Sequence, residues 1–596
     1  MTARNAALRA ADAVADRFLA DKHIPGVAYG VVARGDLIHS RGIGTLRAGE
    51  DAPPDAESVF RIASMTKSFT AATLLSLRDE GRLALDDPIA RHVPELEGLR
   101  GPTADSPPIT VRHLLTMSSG LATDDPWGDR QQGLDLAAFS ELLRGPLTFA
   151  WAPATRFEYS NLGYGILGRL ITNVAGAEYR EVVGERLLGP LGMHATTYLE
   201  AEVEPARLAH GYLWRDDAFV TEPRDPYGAL ASMGGVLSSV RDLSRWVAFL
   251  ADAFPARDDP EPPGGLPLSR ASRREMQQVH RSMPPDVSFP SPDADPTVIG
   301  TGYGMGLFVQ DDLRWGRIVG HSGGYPGFGS NMRWHPASGL GVIVLANHRY
   351  APSTKLAREL MESLLAANVV PASRLRSAAS LQAARRDIER LLVAWDDDLA
   401  ASLFAMNVDL DETIAGRRAS IERIWQDHGP LHPDPDLTEA ADSPLHAIWW
   451  LLGEEGGRVR VEVRLSPESR PRVQTLDIRE VPAPPPELTY IAVSIVAAVN
   501  GPDPAVPTDL ATAPEVDRPA LTRALRIVAE RFAPLTLGPA TAVEADVSAT
   551  WRLRTAPRPE REMTELDLQI TRDRDSRLVR DVAIVQRGLS RLRYAD

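Results

Sequence analysis

Ser64-Met65-Thr66-Lys67 places a hydroxyl and an amine three residues apart at the start of a helical pattern. Positions i and i+3 share one face of a helix, so the two groups can meet. A serine hydroxyl attacks a carbonyl only when something takes its proton. A lysine amine withdrawn from water loses its own proton and becomes that base. The helix N-terminus adds positive potential at the attacking oxygen. Lysine is scarce here: Lys22, Lys67 and Lys355 stand among 65 basic residues, all the others arginine. A lysine kept against such a bias marks a position that needs a titratable amine, because guanidinium stays charged. The plain alternative is a buried helix start with an ordinary lysine, although chance yields only ~0.2 S-x-x-K matches in this composition.

Two further motifs carry compatible chemistry. Tyr159-Ser160-Asn161 precedes a helical pattern. A phenol beside an ammonium is pushed toward phenolate and can act as general base, while an Asn amide can donate to a substrate carbonyl and accept from lysine. The alternative is a core tyrosine with a helix-capping Asn. His321-Ser322-Gly323-Gly324 follows a strand-like segment and leads into the Gly/aromatic run Tyr325–Gly329. Taken alone, H-x-G is weak. The same stretch, Gly320 to Gly324, also reads G-x-S-x-G, the nucleophile elbow of α/β-hydrolases with Ser322 as nucleophile. That elbow must turn into a helix, and Tyr-Pro-Gly-Phe-Gly does not start one.

In this order the three motifs resemble the serine β-lactamase and penicillin-binding-protein superfamily, in its branch of class C-like esterases and D-stereospecific aminopeptidases. Arg61–Lys67 (RIASMTK), His113–Leu121 (HLLTMSSGL) and Phe157–Leu167 (FEYSNLGYGIL) add to the likeness, with Met117 where His is common. The resemblance covers roughly residues 10–368. It implies that Ser64 is acylated and that Lys67 and Tyr159 share general-base and general-acid work. Asn161 orients substrate and Lys67, and His321 replaces the third-motif Lys, touching Tyr159 or the substrate. The oxyanion hole would be the N–H groups of Ser64 and Gly324, with Gly323 beside them among the substrate-binding residues. Replacing that Lys by His weakens the fixed charge that grips a substrate carboxylate, which favours small esters or amides. β-Lactamase or DD-peptidase-type activity, and a non-catalytic ligand-binding role, are the alternatives.

Elements must bring these residues together. Ile24–Ala33 and Leu340–Ala346 read as buried strands at opposite ends of the first 370 residues, with helical patterns at Ser64–Arg78, Thr110–Thr116, Asn161–Val174 and from Ser239 onward. The expected fold is an α/β (α+β) sandwich: an antiparallel sheet flanked by helices, with an all-helical subregion, over residues 1–370. Residues 252–268 and 284–298, rich in Pro and Asp, read as surface loops. Two small α+β modules follow, 376–485 and 488–596. They are read as a repeat because the hairpins after Arg458 and after Thr564 resemble each other, ~105 residues apart. Leu381–Phe404 reads as one long helix, and the pattern of helix then hairpin resembles the curved-sheet cone of nuclear-transport-factor type. Pro-rich 501–518 reads as a loop able to reach a cleft.

Composition narrows the function. There are 596 residues, no Cys and a net charge of −15. Disulfides, thiol catalysis and Cys-ligated metals are excluded, and nucleic acid and anionic membranes are repelled. No apolar run approaches the ~18 residues of a membrane span, and the N-terminus lacks an apolar signal core, so a cytoplasmic location is expected. No cofactor or metal is expected. His428 and His432 are split by Gly429-Pro430, Asp396–Asp398 reads as a solvated face, and Gly300–Gly306 (GTGYGMG) lacks the helix a dinucleotide site needs. The expected partner is a small ester or amide substrate, with self-association through the C-terminal modules.

Overall fold

The computed structural model describes residues 3–20, 22–261, 266–288, 297–312, 315–371, 377–454, 456–544, 547–556 and 565–586. The chain divides into two compact units, Met1–Ser373 and Arg374–Asp596.

The first unit is built on a nine-stranded antiparallel sheet. Its order is Asp36–Gly44, Gly26–Ala33, Leu340–Ala346, Phe328–His335, Gly316–Tyr325, Phe308–Asp312, Thr297–Tyr303 and Arg281–Ser282, with Asp286–Ser288 also on Thr297–Tyr303. The two ends of the unit therefore meet: Val27 pairs with Ala346 and Ala33 with Leu340. Side chains of a strand alternate between faces, and here each face feeds its own core. Ala28, Val32, Ile343 and Leu345 point into the larger core. Val27, Tyr29, Val31, Val342 and Val344 point into the other, against the helices Ala3–Ala20 and Ser353–Ala366. Helices cover both faces, which is why these strands are continuously apolar rather than alternating.

The larger core surrounds the helix Thr66–Asp79, whose residues from Thr66 through Leu77 are all buried. Phe69 stacks on Trp246 with centroids 4.2 Å apart. Phe69, Leu74, Leu75 and Leu77 each contribute about 1.5–3 kcal/mol on burial, which outweighs taking one lysine out of water. A second helix, Asn161–Ala175, is capped by Ser160, whose side chain accepts from the Gly163 N–H. The helix from Val240 is likewise capped by Ser239 accepting from the Asp242 N–H.

One reading of this unit changes. Residues 284–298 are not simply loop: Asp286–Ser288 pairs with the start of Thr297–Tyr303. The pairing is made by backbone groups, which composition does not report. Residues 262–265, 289–296 and the boundary near residue 372 lie outside the described residues. Among the described residues no helix is long and apolar enough to cross a membrane.

The second unit holds two four-stranded antiparallel sheets, each preceded in the chain by helices. The first has the order Leu431–Pro433, His446–Gly453, Arg458–Leu465, Val473–Val481; the second runs Leu535–Glu544, Ser548–Thr555, Glu565–Arg572, Val579–Gln586. Val459, Val461 and Val463 face one core, with Trp449, and Leu566, Leu568 and Ile570 face the other. The long helix read over Leu381–Phe404 is in fact two, Ala379–Val393 and Asp397–Leu403. Ala394 turns extended, and Asp396 caps the second helix by accepting from the Leu399 N–H. Asp396 thus breaks the helix, while Asp397 and Asp398 lie exposed in the first turn of the second one. Of the 501–518 stretch, residues 501–517 form no regular element and Arg518 opens the helix Arg518–Phe532, yet Val506 and Leu510 are buried in the core of its own sheet.

Candidate active site

Ser64 lies in a one-turn 3-10 segment, Ala63–Met65, immediately before the helix that carries Lys67. In a 3-10 turn, residues i and i+3 eclipse, which brings the two side chains into register. Ala63, just before the nucleophile, has φ +49°. A non-glycine residue there is strained, and the buried surroundings hold it so that Ser64 faces the cleft.

Lys67 is 0% exposed. Its Nζ lies 2.9 Å from Ser64 Oγ, 2.7 Å from Asn161 Oδ1 and 2.8 Å from the Met233 carbonyl oxygen. The Asn161 and Met233 oxygens can only accept. A neutral amine has two N–H bonds and one lone pair, so these acceptors take both hydrogens and the lone pair is left for the Ser64 hydroxyl. Asn161 is locked in this orientation because its Nδ2 donates to Asp125 Oδ1 at 2.8 Å. Burial pulls the Lys67 amine down to about 8, against the opposing pull of Asp125, Asp129 and Asp124. That value suits a base near neutral pH.

Tyr159 faces the same amine, with Lys67 Nζ 4.9 Å from its ring centre. Burial raises its phenol well above the ordinary value and Asp125 adds to this, while the hydrogen bond with Ser64 pulls the other way. The expected phenolate is therefore corrected. The desolvation that makes Lys67 a good base makes Tyr159 a neutral phenol, fitted to donate a proton rather than accept the first one.

His321 is buried on the Gly316–Tyr325 strand. Its Nδ1 sits 2.6 Å from the Ser322 carbonyl oxygen and its Nε2 3.1 Å from the Tyr303 hydroxyl. The carbonyl fixes the proton on Nδ1, so Tyr303 donates to Nε2. The His321 ring packs against that of Tyr159, 6.4 Å apart centre to centre, with no hydrogen bond between the two among the described residues. Burial, then the Lys67 charge, lowers the imidazole to about 3, so it is neutral at any working pH. Gly323 and Gly324 follow on the same strand, paired with Ser330 and Gly329. A Cβ at Gly323 would stand 2.2 Å from the Ile62 carbonyl oxygen. Only glycine lets the strand approach the turn bearing Ser64 this closely.

Sequence reasoning missed several partners. Tyr303 lies in the glycine run set aside as bland, and the Met233 carbonyl belongs to the backbone, which no motif reports. Asp124 accepts from the Asn161 and Leu162 N–H groups. With Asp125 and Asp129 it bears on Lys67. The sequence signal was present as an unused acidic cluster before the Tyr159 motif. Ser322, the alternative nucleophile, sits within a strand that continues to Tyr325, so the α/β-hydrolase elbow is not formed there. Among the described residues no three or more His, Cys, Asp or Glu are grouped to hold a metal.

The sheet flanked by helices, and a serine–lysine pair at a helix start, define a fold and site of the β-lactamase type. The chain belongs to the Beta-lactamase family, whose sequence profile matches residues 11–366. The resemblance read from the three motifs is borne out. Protein flp of Staphylococcus aureus (strain MW2) is 27% identical over 339 residues, 56% of this chain and 62% of that protein. The chain thus spans under two thirds of that relative's length. Penicillin-binding protein 4 of Amycolatopsis lactamdurans is 30% identical over 358 residues, 59% of this chain and 88% of that protein. The structure of the octameric penicillin-binding protein homologue from Pyrococcus abyssi aligns with a TM-score of 0.51 at 20% identity, covering 95% of this chain and 98% of that one. It supports the fold.

Proposed function

We propose that the chain hydrolyses small esters or amides through an acyl-Ser64 intermediate, as a short-chain esterase or an aminopeptidase of D-amino-acid amides or peptides. The observation that carries this is the buried Lys67 Nζ, 2.9 Å from Ser64 Oγ and held by two oxygens that can only accept, so that once the amine loses its proton its lone pair faces Ser64. Neutral Lys67 takes the Ser64 proton as Oγ bonds to the acyl carbon, and the resulting ammonium is held by Asn161 and Met233. Tyr159 then donates a proton to the leaving alkoxide or amine as the Lys67 ammonium passes its proton to Tyr159; water next bonds to the acyl carbon, gives a proton to neutral Lys67, and that proton passes to Ser64 Oγ as the acid leaves. Backbone N–H groups of Ser64 and Gly324 receive the oxyanion.

A second reading, β-lactam binding or DD-peptidase-type acylation, is favoured by the similarity to penicillin-binding protein 4. Neutral His321 supplies no charge for a substrate carboxylate, which weighs for the first. A panel of p-nitrophenyl esters, D- and L-amino-acid p-nitroanilides and nitrocefin, with intact-mass detection of the adduct, separates the two. We also propose self-association through the Arg374–Asp596 unit, which exposes Met406, Leu410, Tyr490 and Val493. The related archaeal protein is described as octameric, and sedimentation of the full chain tests this.

A further inference from the structure

Beside the nucleophile stands a carboxylate without a counter-ion. Asp129 is 5% exposed, and its Oδ2 accepts from the Tyr350 hydroxyl at 2.8 Å. Among the described residues no Arg, Lys or His forms an ion pair with it. Buried charges are ordinarily paired. Here burial raises the group to about 6, against the lowering pull of the Tyr350 hydrogen bond and the Lys67 charge, while Asp125 and Asp124 push it up. Asp129 nonetheless lies close enough to bear on Lys67 and Tyr159.

A second acceptor points the same way. Gln132, three residues on, is 1% exposed, and its Oε1 has no hydrogen-bond partner among the described residues. That oxygen lies 3.8 Å from where a Gly234 Cβ would stand, and the Ala63 carbonyl carbon lies 3.7 Å from the same point. It is therefore set against the turn that presents Ser64 and the segment that holds Lys67. An exposed aromatic residue completes the surroundings. Tyr350, with φ +46°, lays its ring 2.8 Å from a Cβ position on Gly324. Carboxylate, amide oxygen and aromatic face together attract cations, and neutral His321 offers nothing to an anion.

Resting on the acyl-Ser64 reading, we propose that Asp129 is a specificity-determining residue that anchors an ammonium group of the substrate. The preferred acyl donors are then amine-bearing esters or amides, with the amine close to the scissile carbonyl, rather than carboxylate-bearing ones.

The test uses the full chain at pH 7 and two matched esters: alanine 4-nitrobenzyl ester, each enantiomer, and 4-nitrobenzyl 2-methylpropanoate, in which methyl replaces ammonium. Wild type should favour the better alanine ester by at least about tenfold in kcat/KM. Asp129→Asn should reduce that ratio at least about tenfold, mainly through KM, and Asp129→Glu should recover part of it. An unchanged ratio in Asp129→Asn overturns the proposal. So does a wild-type preference for the neutral ester while acyl-Ser64 forms, and the hydrolase reading survives that result. If neither ester nor a fluorophosphonate modifies Ser64, the hydrolase reading falls and this one with it. Should Asp129→Asn fail to fold, competition on wild type decides. Alaninamide should inhibit neutral-ester turnover at least about tenfold more strongly than 2-methylpropanamide, and equal inhibition overturns the proposal.

Discussion

Lys67 can act as base only when neutral, and it is poised near 8. For a neutral ester, kcat/KM should therefore rise about tenfold per pH unit below that value and level off above it. With His321 held near 3, no histidine inflection should appear between pH 5 and 7 in the same profile. Lys67→Arg preserves charge but cannot shed a proton, so kcat should fall more than about 10³-fold, and the bulkier guanidinium in a fully buried site should also lower the melting temperature. Asp129 makes a prediction about stability. Its folded value, about 6, lies above the ordinary 3.8, so between these values the folded chain binds this proton more tightly than the unfolded one. Its contribution to stability thus increases as pH falls from about 7 to about 4, and at neutral pH the charge destabilises. Asp129→Asn should raise the melting temperature by a few degrees at pH 7 and lose that gain near pH 4, as differential scanning fluorimetry would show. Ser64, Lys67 and Asn161 were legible in the sequence because local spacing sets the first pair and a short motif marks the third. Tyr303, the Met233 carbonyl and Asp129 were not, because they reach the site through the tertiary fold.

At the scale of elements, the site depends on how closely the Gly316–Tyr325 strand can pass the turn before Thr66. Gly323→Ala would place a methyl 2.2 Å from the Ile62 carbonyl oxygen and 2.3 Å from Ser330 Oγ. The displacement should cost about 1–3 kcal/mol of stability. Acylation should slow by about 10²-fold, because the strand that supplies the second oxyanion donor moves away. Stopped-flow acylation and thermal melts of Gly323→Ala measure both. Strands with unbroken apolar runs, such as Leu340–Ala346, were readable because burial on both faces removes polar residues from them. The hairpin at Asp286–Ser288 was hidden because its pairing is made by backbone groups. The long helix over Leu381–Phe404 was misread because Asp396 favours capping a new helix over continuing the old one.

For the whole molecule, the cores of the first unit draw on residues from Leu8 to Val370. A fragment ending at residue 371 should fold and remain acylated by a fluorophosphonate. An insoluble fragment would mean that the Arg374–Asp596 unit covers apolar surface of the first. The Pro-rich 501–518 stretch, read as a loop able to reach a cleft, buries Val506 and Leu510 in its own sheet's core, and comparing the substrate panel of the fragment with that of the full chain tests the rest of that reading. The central claim is that Ser64 carries the acyl group, and covalent labelling of the full chain followed by peptide mapping tests it most directly. One fluorophosphonate adduct on Ser64, lost in Ser64→Ala and retained in Ser322→Ala, is the predicted result. An adduct on Ser322, or labelling that survives Ser64→Ala, would contradict it.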